Sequence, residues 1–240
     1  MNEVINKKVF FENLGLISYK EAWDYQTKLF DEIVSVKLSN RGLSAEDQKP
    51  TPNYLLFCEH PHVYTLGKSG DAGHLLLQED QLEKKGIEFY HINRGGDITY
   101  HGPGQLVGYP VIDMENYFTD IHKYLRLLEE GVIQTIAEYG IKGGRIEGLT
   151  GVWINSETPE KGRKICALGV KTSRWVAMHG FALNVNADLN YFNNIVPCGI
   201  SDKAVTSIEA EVGRKVNMEE VEAILKEKLS VLFEMIIVQK

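Results

Sequence analysis

Cys198 lies between Pro197 and Gly199 in the segment IVPCGISDKAVTS, a context that favours a turn over regular pairing. A cysteine on such a turn can present its sulfur to a cleft, and its thiolate is a nucleophile able to carry an acyl group. The thiolate forms at neutral pH only where a nearby cation or helix terminus stabilises it. The alternative is an inert, buried thiol.

A candidate cation is Lys164, at the edge of the apolar run KICALGV. Partial burial there would favour the neutral amine, whereas a lysine that extends to solvent from a strand end would have no chemical role. Strand periodicity puts Cys166 on the same face as Lys164, about 7 Å along the strand. Spacing therefore favours Cys166 as nucleophile as much as Cys198, and the residues alone leave the choice open.

The segment RGGDITYHGPGQLVGYP, Arg94 to Pro110, contains five glycines and two prolines in seventeen residues. Glycine permits close backbone approach, and Pro103 fixes the turn between Gly102 and Gly104. The segment matches neither GxGxxG at a helix start nor GxxxxGK[ST], so a nucleotide site has little support. It either wraps a ligand, with Arg94 and His101 orienting a carbonyl or a carrier-linked group, or simply connects two strands.

The alternating residues Cys58, His60 and His62 in CEHPH have the look of a metal site. No second cluster with ligand spacing completes a tetrahedral set, and CxHxH is not a usual zinc spacing. We therefore expect a strand end that lines a pocket, with no metal bound. His179, in MHGFALN, is expected to be either a packed strand histidine or a pocket wall.

These residues must be positioned by a mixture of helices and strands. Capping residues and apolar spacing predict helices from Ser18 to near Gly42, from Asp120 to Tyr139 and after Asn217, with a short helix over Leu75 to Lys85. Alternating or continuous apolar runs predict strands at YLLFCEH, IEFYHINR, LVGYPVID, LTGVWIN, KICALGV and WVAMHGFALNVN. The order predicts an α+β fold with an antiparallel or mixed sheet.

The composition sets the broad class of the protein. The 240 residues are 43% hydrophobic and 25% charged, as in a folded globular protein, and we expect a single domain over residues 1–240. The net charge of −7 disfavours electrostatic binding of the protein to nucleic acid or to an anionic membrane over a large surface. Three scattered cysteines and the absence of a signal-peptide pattern or a long apolar run predict a cytoplasmic protein with reduced thiols.

Five segments, taken in this order, resemble the lipoyl(octanoyl) transferase family over roughly Tyr54 to Ile208. They are EHPHVYTLG from Glu59, RGGDITYHGPGQLVGYP from Arg94, KICALGV from Lys164, HGFALNVN from His179 and VPCGISDKAVTS from Val196. The resemblance implies the mixed α/β fold shared with lipoate and biotin protein ligases and related to class II aminoacyl-tRNA synthetases. That fold has a largely antiparallel sheet flanked by helices.

The resemblance also assigns roles. The cysteine that forms the acyl thioester falls on Cys198, and the lysine that activates it falls on Lys164, which favours Cys198 over Cys166; at Cys166 the family more usually has a smaller residue. No metal or other cofactor is implied. The implied substrate-binding residues are Arg94, Gly95, Gly96, Asp97, Ile98, Thr99, Tyr100, His101, Ala167, Leu168, Gly169, Gly180, Phe181 and Ala182.

The reaction implied is transfer of an octanoyl group from octanoyl-acyl carrier protein to a lysine of a lipoyl domain, in lipoate biosynthesis. The acceptors implied are the lipoyl domains of 2-oxoacid dehydrogenases or the glycine cleavage H protein. Two other functions compete: an ATP-dependent lipoate or biotin ligase, which needs a lysine but no cysteine nucleophile, and a non-catalytic acyl-binding module. A requirement for ATP would indicate the ligase. A covalent adduct on Cys198 would distinguish the transferase from the acyl-binding module.

Overall fold

The computed structural model describes residues 5–196 and 204–240. Its helices are α1 (Tyr19–Ser39), α2 (Glu79–Lys85), α3 (Ile121–Ala137), α4 (Ile208–Val212) and α5 (Met218–Phe233). Its strands are β1 (Lys8–Leu16), β2 (Tyr54–Glu59), β3 (Val63–Leu66), β4 (Glu88–His91), β5 (Ile98–His101), β6 (Gln105–Asp113), β7 (Gly143–Ile146), β8 (Leu149–Ile154), β9 (Arg163–Ser173), β10 (Val176–Asn184), β11 (Ala204–Val205) and β12 (Ile236–Gln239).

The strands form one large sheet and one small one. The large sheet has the order β12-β1-β2-β6-β10-β9-β8-β7, with β11 paired to β9, and the small sheet has the order β4-β3-β5. From β2 to β7 every pairing in the large sheet is antiparallel, whereas β1 runs parallel to β12 and β2, and β11 runs parallel to β9. The predicted α+β fold with a mixed, largely antiparallel sheet is confirmed.

Helices cover both faces of the large sheet, and the strand alternation assigns residues to one face or the other. In β2, Leu55 and Phe57 pack with α3 and α5, while Leu56 and Cys58 pack with α1. Because both faces are covered, all nine residues of β6 are buried. The sheet is therefore the middle layer, flanked by helices as the family resemblance implied.

The helix starts are set by the predicted caps. The Ser18 hydroxyl accepts a hydrogen bond from the Glu21 N–H, and Asn217 caps α5 in the same way. The first helix ends at Ser39, short of Gly42. The helix predicted over Leu75 to Lys85 begins only at Glu79, because Leu75 instead pairs with Ile195 in an isolated bridge.

The small sheet holds the glycine-rich segment against the large sheet. β5 pairs antiparallel with β3, which places Ile98 opposite Leu66 and His101 opposite Val63. The sequence did not predict β1, β3, β5, β7, β11 or β12 as separate strands, since most of them are short or lie at sheet edges. Within the described ranges, no helix combines the length and the hydropathy needed to cross a membrane.

Candidate active site

A narrow cleft, here called the inner cleft, lies between the large sheet and the small sheet. The empty space within it and at its open mouth, solvent included, is about 720 Å³. Side chains from β5, β6, β9 and β10 meet there. The lining residues are Tyr19, Arg94, Gly96, Asp97, Ile98, Thr99, His101, Val107, Tyr109, Lys164, Ala167, Leu168, Gly169, His179, Gly180, Phe181, Ala182, Phe192 and Val205.

The inner cleft collects nearly all the residues that the family resemblance nominated. Of the fourteen substrate-binding residues implied, all but Gly95 and Tyr100 line it, and so does Lys164. These residues come from three segments far apart in sequence. The β9·β10 pairing joins two of them, and the bond from the Gly95 N–H to the Val170 carbonyl holds the glycine-rich loop against β9. Cys198 lies outside the described residues.

Gly95 and Tyr100 point away from the cleft. The Gly95 N–H donates to the Val170 carbonyl oxygen at 3.0 Å, on the outer side of β9. Tyr100 is fully buried beneath the cleft wall, where its hydroxyl contacts the His62 Nδ1 at 2.7 Å and its ring stacks on Tyr191. Neither residue is placed to contact a ligand in the inner cleft.

Arg94 is a structural anchor as well as a cleft residue. It is 8% exposed, and its guanidinium donates to the backbone oxygen of Thr65 at 2.7 Å, to the Thr65 hydroxyl at 3.0 Å and to the Gly95 carbonyl at 3.0 Å. These bonds tie the glycine-rich loop to β3. The carboxylate of Asp97 lies 2.6 Å from the His74 Nδ1, within hydrogen-bond distance.

The glycines allow the loop to cross β9 at close range. A Cβ on Gly169 would lie 2.9 Å from the Gly95 carbonyl oxygen and 3.0 Å from the Arg94 Cδ, both closer than ordinary contact. Gly96 has a φ of +89°, a conformation that favours glycine. The loop therefore lies close against β9, and Arg94, Gly96 and Asp97 line the inner cleft.

Lys164 lies at the cleft beside an irregularity in the sheet. Its Nζ is 4.6 Å from the centroid of the Trp153 ring, within cation–π range. The β8·β9 register shifts between Val152 and Trp153, and Gly151 has a φ of +125°. A Cβ on Gly151 would be 2.8 Å from the Cys166 carbonyl and 3.3 Å from the Lys164 Cε, so this glycine leaves room for the lysine stem.

Two neutral histidines, His101 and His179, line the cleft, and a third, His60, lies behind them. Burial lowers the pKa of His101 to about 3, with further lowering from His60, and burial also lowers the pKa of His60 to about 4. His179 is 2% exposed with a φ of +61°, and burial, helped by the charge on Arg94, lowers its pKa to about 3. All three imidazoles are therefore uncharged at neutral pH.

The two described cysteines are unsuited to nucleophilic catalysis. Cys166 is fully buried in the core on the α3 side, and burial raises the pKa of its thiol. Cys58 is 1% exposed, and burial raises the pKa of its thiol as well. The spacing argument that favoured Cys166 as much as Cys198 fails, because the register shift adds one residue to β9 between Lys164 and Cys166. Strict alternation is broken there, so the thiol faces the core while Lys164 lies at the cleft.

The CEHPH residues lie behind the cleft and do not line it. The His60 Nε2 contacts the Tyr109 hydroxyl at 2.7 Å and its Nδ1 contacts the Ile17 carbonyl at 2.8 Å, while His62 turns toward Tyr100. The expectation that this strand end lines a pocket is therefore wrong. Among residues 5–196 and 204–240, no three histidine, cysteine or acidic side chains form a group able to hold a metal ion.

Several cleft residues were not predicted from the sequence. Tyr19, the first residue of α1, and Tyr109, on β6, carried no signal beyond their place in apolar patterns. Phe192 comes from the 3₁₀ turn Leu189–Asn194. His179, for which two roles were open, is both packed in a strand and part of the cleft wall.

Comparisons with known proteins agree on one family. A sequence model described as the lipoyl protein ligase A/B catalytic domain matches residues 18–230. An octanoyltransferase of Cytophaga hutchinsonii is 61% identical over 235 residues, covering 98% of this chain and 96% of the relative. An octanoyltransferase of Flavobacterium psychrophilum is 65% identical over 224 residues, covering 92% and 95%.

The fold has a counterpart among solved structures. A bipartite lipoate protein ligase from Thermoplasma acidophilum, whose structural description includes its E2 lipoyl domain, superposes with a TM-score of 0.68 at 18% identity. The superposition covers 99% of this chain and 87% of that one. At this identity the likeness concerns the fold, and it confirms the lipoate-ligase-like architecture that the motifs implied.

Proposed function

Because the chain belongs to the lipoyl protein ligase A/B catalytic-domain family, as its motifs predicted, we propose that it is an octanoyltransferase. It transfers an octanoyl group from octanoyl-acyl carrier protein to the acceptor lysine of a lipoyl domain. The reaction belongs to lipoate biosynthesis and proceeds through a thioester on Cys198. Residues 1–240 act as a single catalytic domain in the cytoplasm.

The observation that carries this proposal is the composition of the inner cleft. Apolar and glycine residues of β6, β9 and β10 form its walls, and Lys164 is the one lysine among its described lining residues. The three histidines at and behind its innermost part are uncharged at neutral pH because burial lowers their pKa. Such a cleft suits an acyl chain with its reacting carbonyl close to Lys164.

In the first step the Cys198 thiolate attacks the carbonyl carbon of the octanoyl thioester. The new carbon–sulfur bond forms as the bond to the carrier's phosphopantetheine sulfur breaks, and that thiolate leaves and takes up a proton. The Lys164 ammonium stabilises the attacking thiolate and can supply the proton. The octanoyl group is then held on the enzyme.

In the second step the neutral amine of the acceptor lysine attacks the enzyme thioester. An amide forms, the Cys198 thiolate is released, and Lys164 assists removal of the proton from the attacking nitrogen. Exchange between thioesters is nearly balanced, and formation of the amide runs downhill. The sequence of steps therefore uses no ATP and no cofactor.

The acceptors proposed are lipoyl domains of 2-oxoacid dehydrogenases or the glycine cleavage H protein. The related archaeal ligase, described together with an E2 lipoyl domain, supports a lipoyl domain as acceptor. The proposed donor, octanoyl-acyl carrier protein, is what the resemblance to the octanoyltransferase family implies. Neither nucleic acid nor a membrane is a partner in the proposed reaction.

The test is octanoylation of an apo lipoyl domain by the purified chain, with octanoyl-acyl carrier protein as donor and without ATP. Intact mass should reveal an octanoyl adduct that is lost in Cys198→Ser, and Lys164→Ala should abolish turnover. Activity that requires free octanoate and ATP would assign a ligase instead. Tight binding of the octanoyl carrier without any adduct would assign a non-catalytic acyl-binding module.

A further inference from the structure

A second cleft, here called the outer groove, joins the inner cleft at Lys164. Its own walls are Ile121 and Leu125 of α3, Leu149 and Thr150 of β8, and Val170 and Thr172 of β9. Lys164, Leu168 and Gly169 line both cavities. A ligand that crosses Lys164 can therefore occupy the two cavities at once.

The outer groove exists because β8 stops covering β9. The pairs between these strands run from Arg163 to Cys166, whereas β9 itself continues to Ser173. The Val170 carbonyl accepts the Gly95 N–H on this edge, so Val170 directs its backbone groups outward. Leu168 and Thr172 share that direction, since alternate residues of an antiparallel strand present their N–H and C=O groups to the same edge.

The chemistry of the groove favours an uncharged chain that carries amides. Leu125, Leu149 and Ile121 offer apolar contact for methylene and methyl groups. The Gly95 N–H bonds the Val170 carbonyl on this edge, and the outward backbone groups of Leu168 and Thr172 on either side can pair with secondary amides of an extended chain. Of the described residues lining the groove, Lys164 alone has a charged side chain. A pantetheine arm is uncharged and has two secondary amides, whereas the side chain of an acceptor lysine has no amide to pair with this edge.

We propose that the outer groove binds the pantetheine arm of the acyl donor, which lies extended along the edge of β9 that β8 leaves uncovered, beside the bond from the Gly95 N–H to the Val170 carbonyl. This inference rests on the proposed function, because it assumes an octanoyl thioester as substrate. The octanoyl chain then occupies the inner cleft, the thioester carbonyl lies at Lys164, and the arm leads out to the carrier between α3 and the β7–β8 turn. The acceptor lysine approaches after the arm has left or from another side.

The test compares donors with and without the arm. Thr150→Trp and Ile121→Trp each place an indole in the groove from an opposite wall, and both positions are exposed enough to accept it. Acylation is followed by intact mass with octanoyl-pantetheine and with octanoyl-N-acetylcysteamine, which keeps only the thiol end of the arm. Val231→Trp, at a position 70% exposed on α5, is the matched control.

Both groove variants should raise the KM for octanoyl-pantetheine about tenfold, corresponding to about 1.4 kcal/mol of lost binding. The KM for octanoyl-N-acetylcysteamine, and single-turnover transfer from preformed octanoyl-enzyme to a lipoyl domain, should change by less than about twofold. An equal rise for both donors, or selective slowing of the transfer step, overturns the assignment. If the wild-type chain forms no adduct with any donor, the proposed function itself fails.

Discussion

The Lys164 ammonium lies over the face of the Trp153 ring, with Nζ 4.6 Å from the ring centroid. The indole is 3% exposed and belongs to β8, whereas the lysine belongs to the neighbouring β9. The contact with the indole ring orients the long, flexible side chain of Lys164 at the junction of the inner cleft and the outer groove. Lys164, the proposed activating lysine, is therefore in contact with a residue outside the motifs that define the family resemblance.

Trp153→Leu should lower the rate of enzyme acylation about tenfold, because a cation–π contact worth about 0.5–2 kcal/mol no longer orients the ammonium. Trp153→Phe keeps an aromatic face and should retain most of the rate. The measurement is single-turnover acylation at saturating donor, with thermal unfolding to verify that both variants fold. A folded Leu variant with wild-type acylation would remove any positioning role for the ring.

Gly151→Ala should displace the side chain of Lys164. Its Cβ would meet the Cys166 carbonyl at 2.8 Å and the Lys164 Cε at 3.3 Å, at a φ of +125°. We expect both a lower melting temperature and slower acylation.

Gly140→Ala is the matched control, since its φ is +74° but its Cβ would have nothing within 4 Å. This variant should lose about 1 kcal/mol of stability and keep its acylation rate. Equal effects of the two variants on acylation would contradict the packing argument.

Gly169→Ala should displace the glycine-rich loop. The added Cβ would lie 2.9 Å from the Gly95 carbonyl and 3.0 Å from the Arg94 Cδ, so the loop must move away from β9. The KM for the donor is expected to rise about tenfold, because the displaced loop no longer holds its cleft-lining residues in place. Gly95→Ala, whose Cβ would meet the Val170 carbonyl at 3.4 Å, should have a smaller effect. Steady-state kinetics with octanoyl carrier measure both, and the reverse order of effects would show that Gly169 does not set the loop position.

Thiol labelling should distinguish the cysteines. Cys58 and Cys166 are buried, and burial raises the pKa of each thiol, so iodoacetamide should leave both unmodified in the native protein. One label, on Cys198, is expected by intact mass and peptide mapping, and none in Cys198→Ser. In guanidinium chloride all three should react. Labelling of Cys166 in the native state would revive it as a candidate nucleophile.

The neutral histidines predict a loss of stability in mild acid. Burial lowers the pKa of His60 to about 4 and the pKa values of His101 and His179 to about 3. The unfolded chain protonates each imidazole near pH 6.5, so below that pH it binds more protons than the folded protein does. The free energy of unfolding should therefore fall between about pH 6.5 and about pH 4, by up to about 1.4 kcal/mol per pH unit for each histidine.

Urea unfolding at about pH 7.5 and about pH 5 measures this loss. His101→Gln should lower the free energy of unfolding at the higher pH. The variant should then lose less of that free energy on acidification than the wild type does, because one histidine with a lowered pKa has been removed. His122→Gln, at an exposed position on α3, should keep the wild-type pH dependence. An unchanged pH dependence in His101→Gln would contradict the assignment of a neutral buried imidazole.

Local patterns determined the elements and the kinds of chemistry. The capping pairs at Ser18 and Asn217, the apolar alternation of β2 and the glycine content of Arg94 to Pro110 depend on neighbours a few residues apart, so the sequence predicted them. The nomination of individual substrate residues came from the family motifs. Composition and spacing alone did not separate Cys166 from Cys198.

Tertiary structure decided which of those residues face the same cavity. Strand alternation predicted one shared face for Lys164 and Cys166, but the extra residue of β9 at its register shift against β8 puts them on different faces. Lys164 lies beside Trp153 at the cleft, and the Cys166 thiol lies in the core. Tyr19, Tyr109 and His179 join the cleft only because α1, β6 and β10 meet beside β5. The outer groove arises where β8 ends its pairing with β9, a register that depends on contacts between strands and is not written in either strand alone.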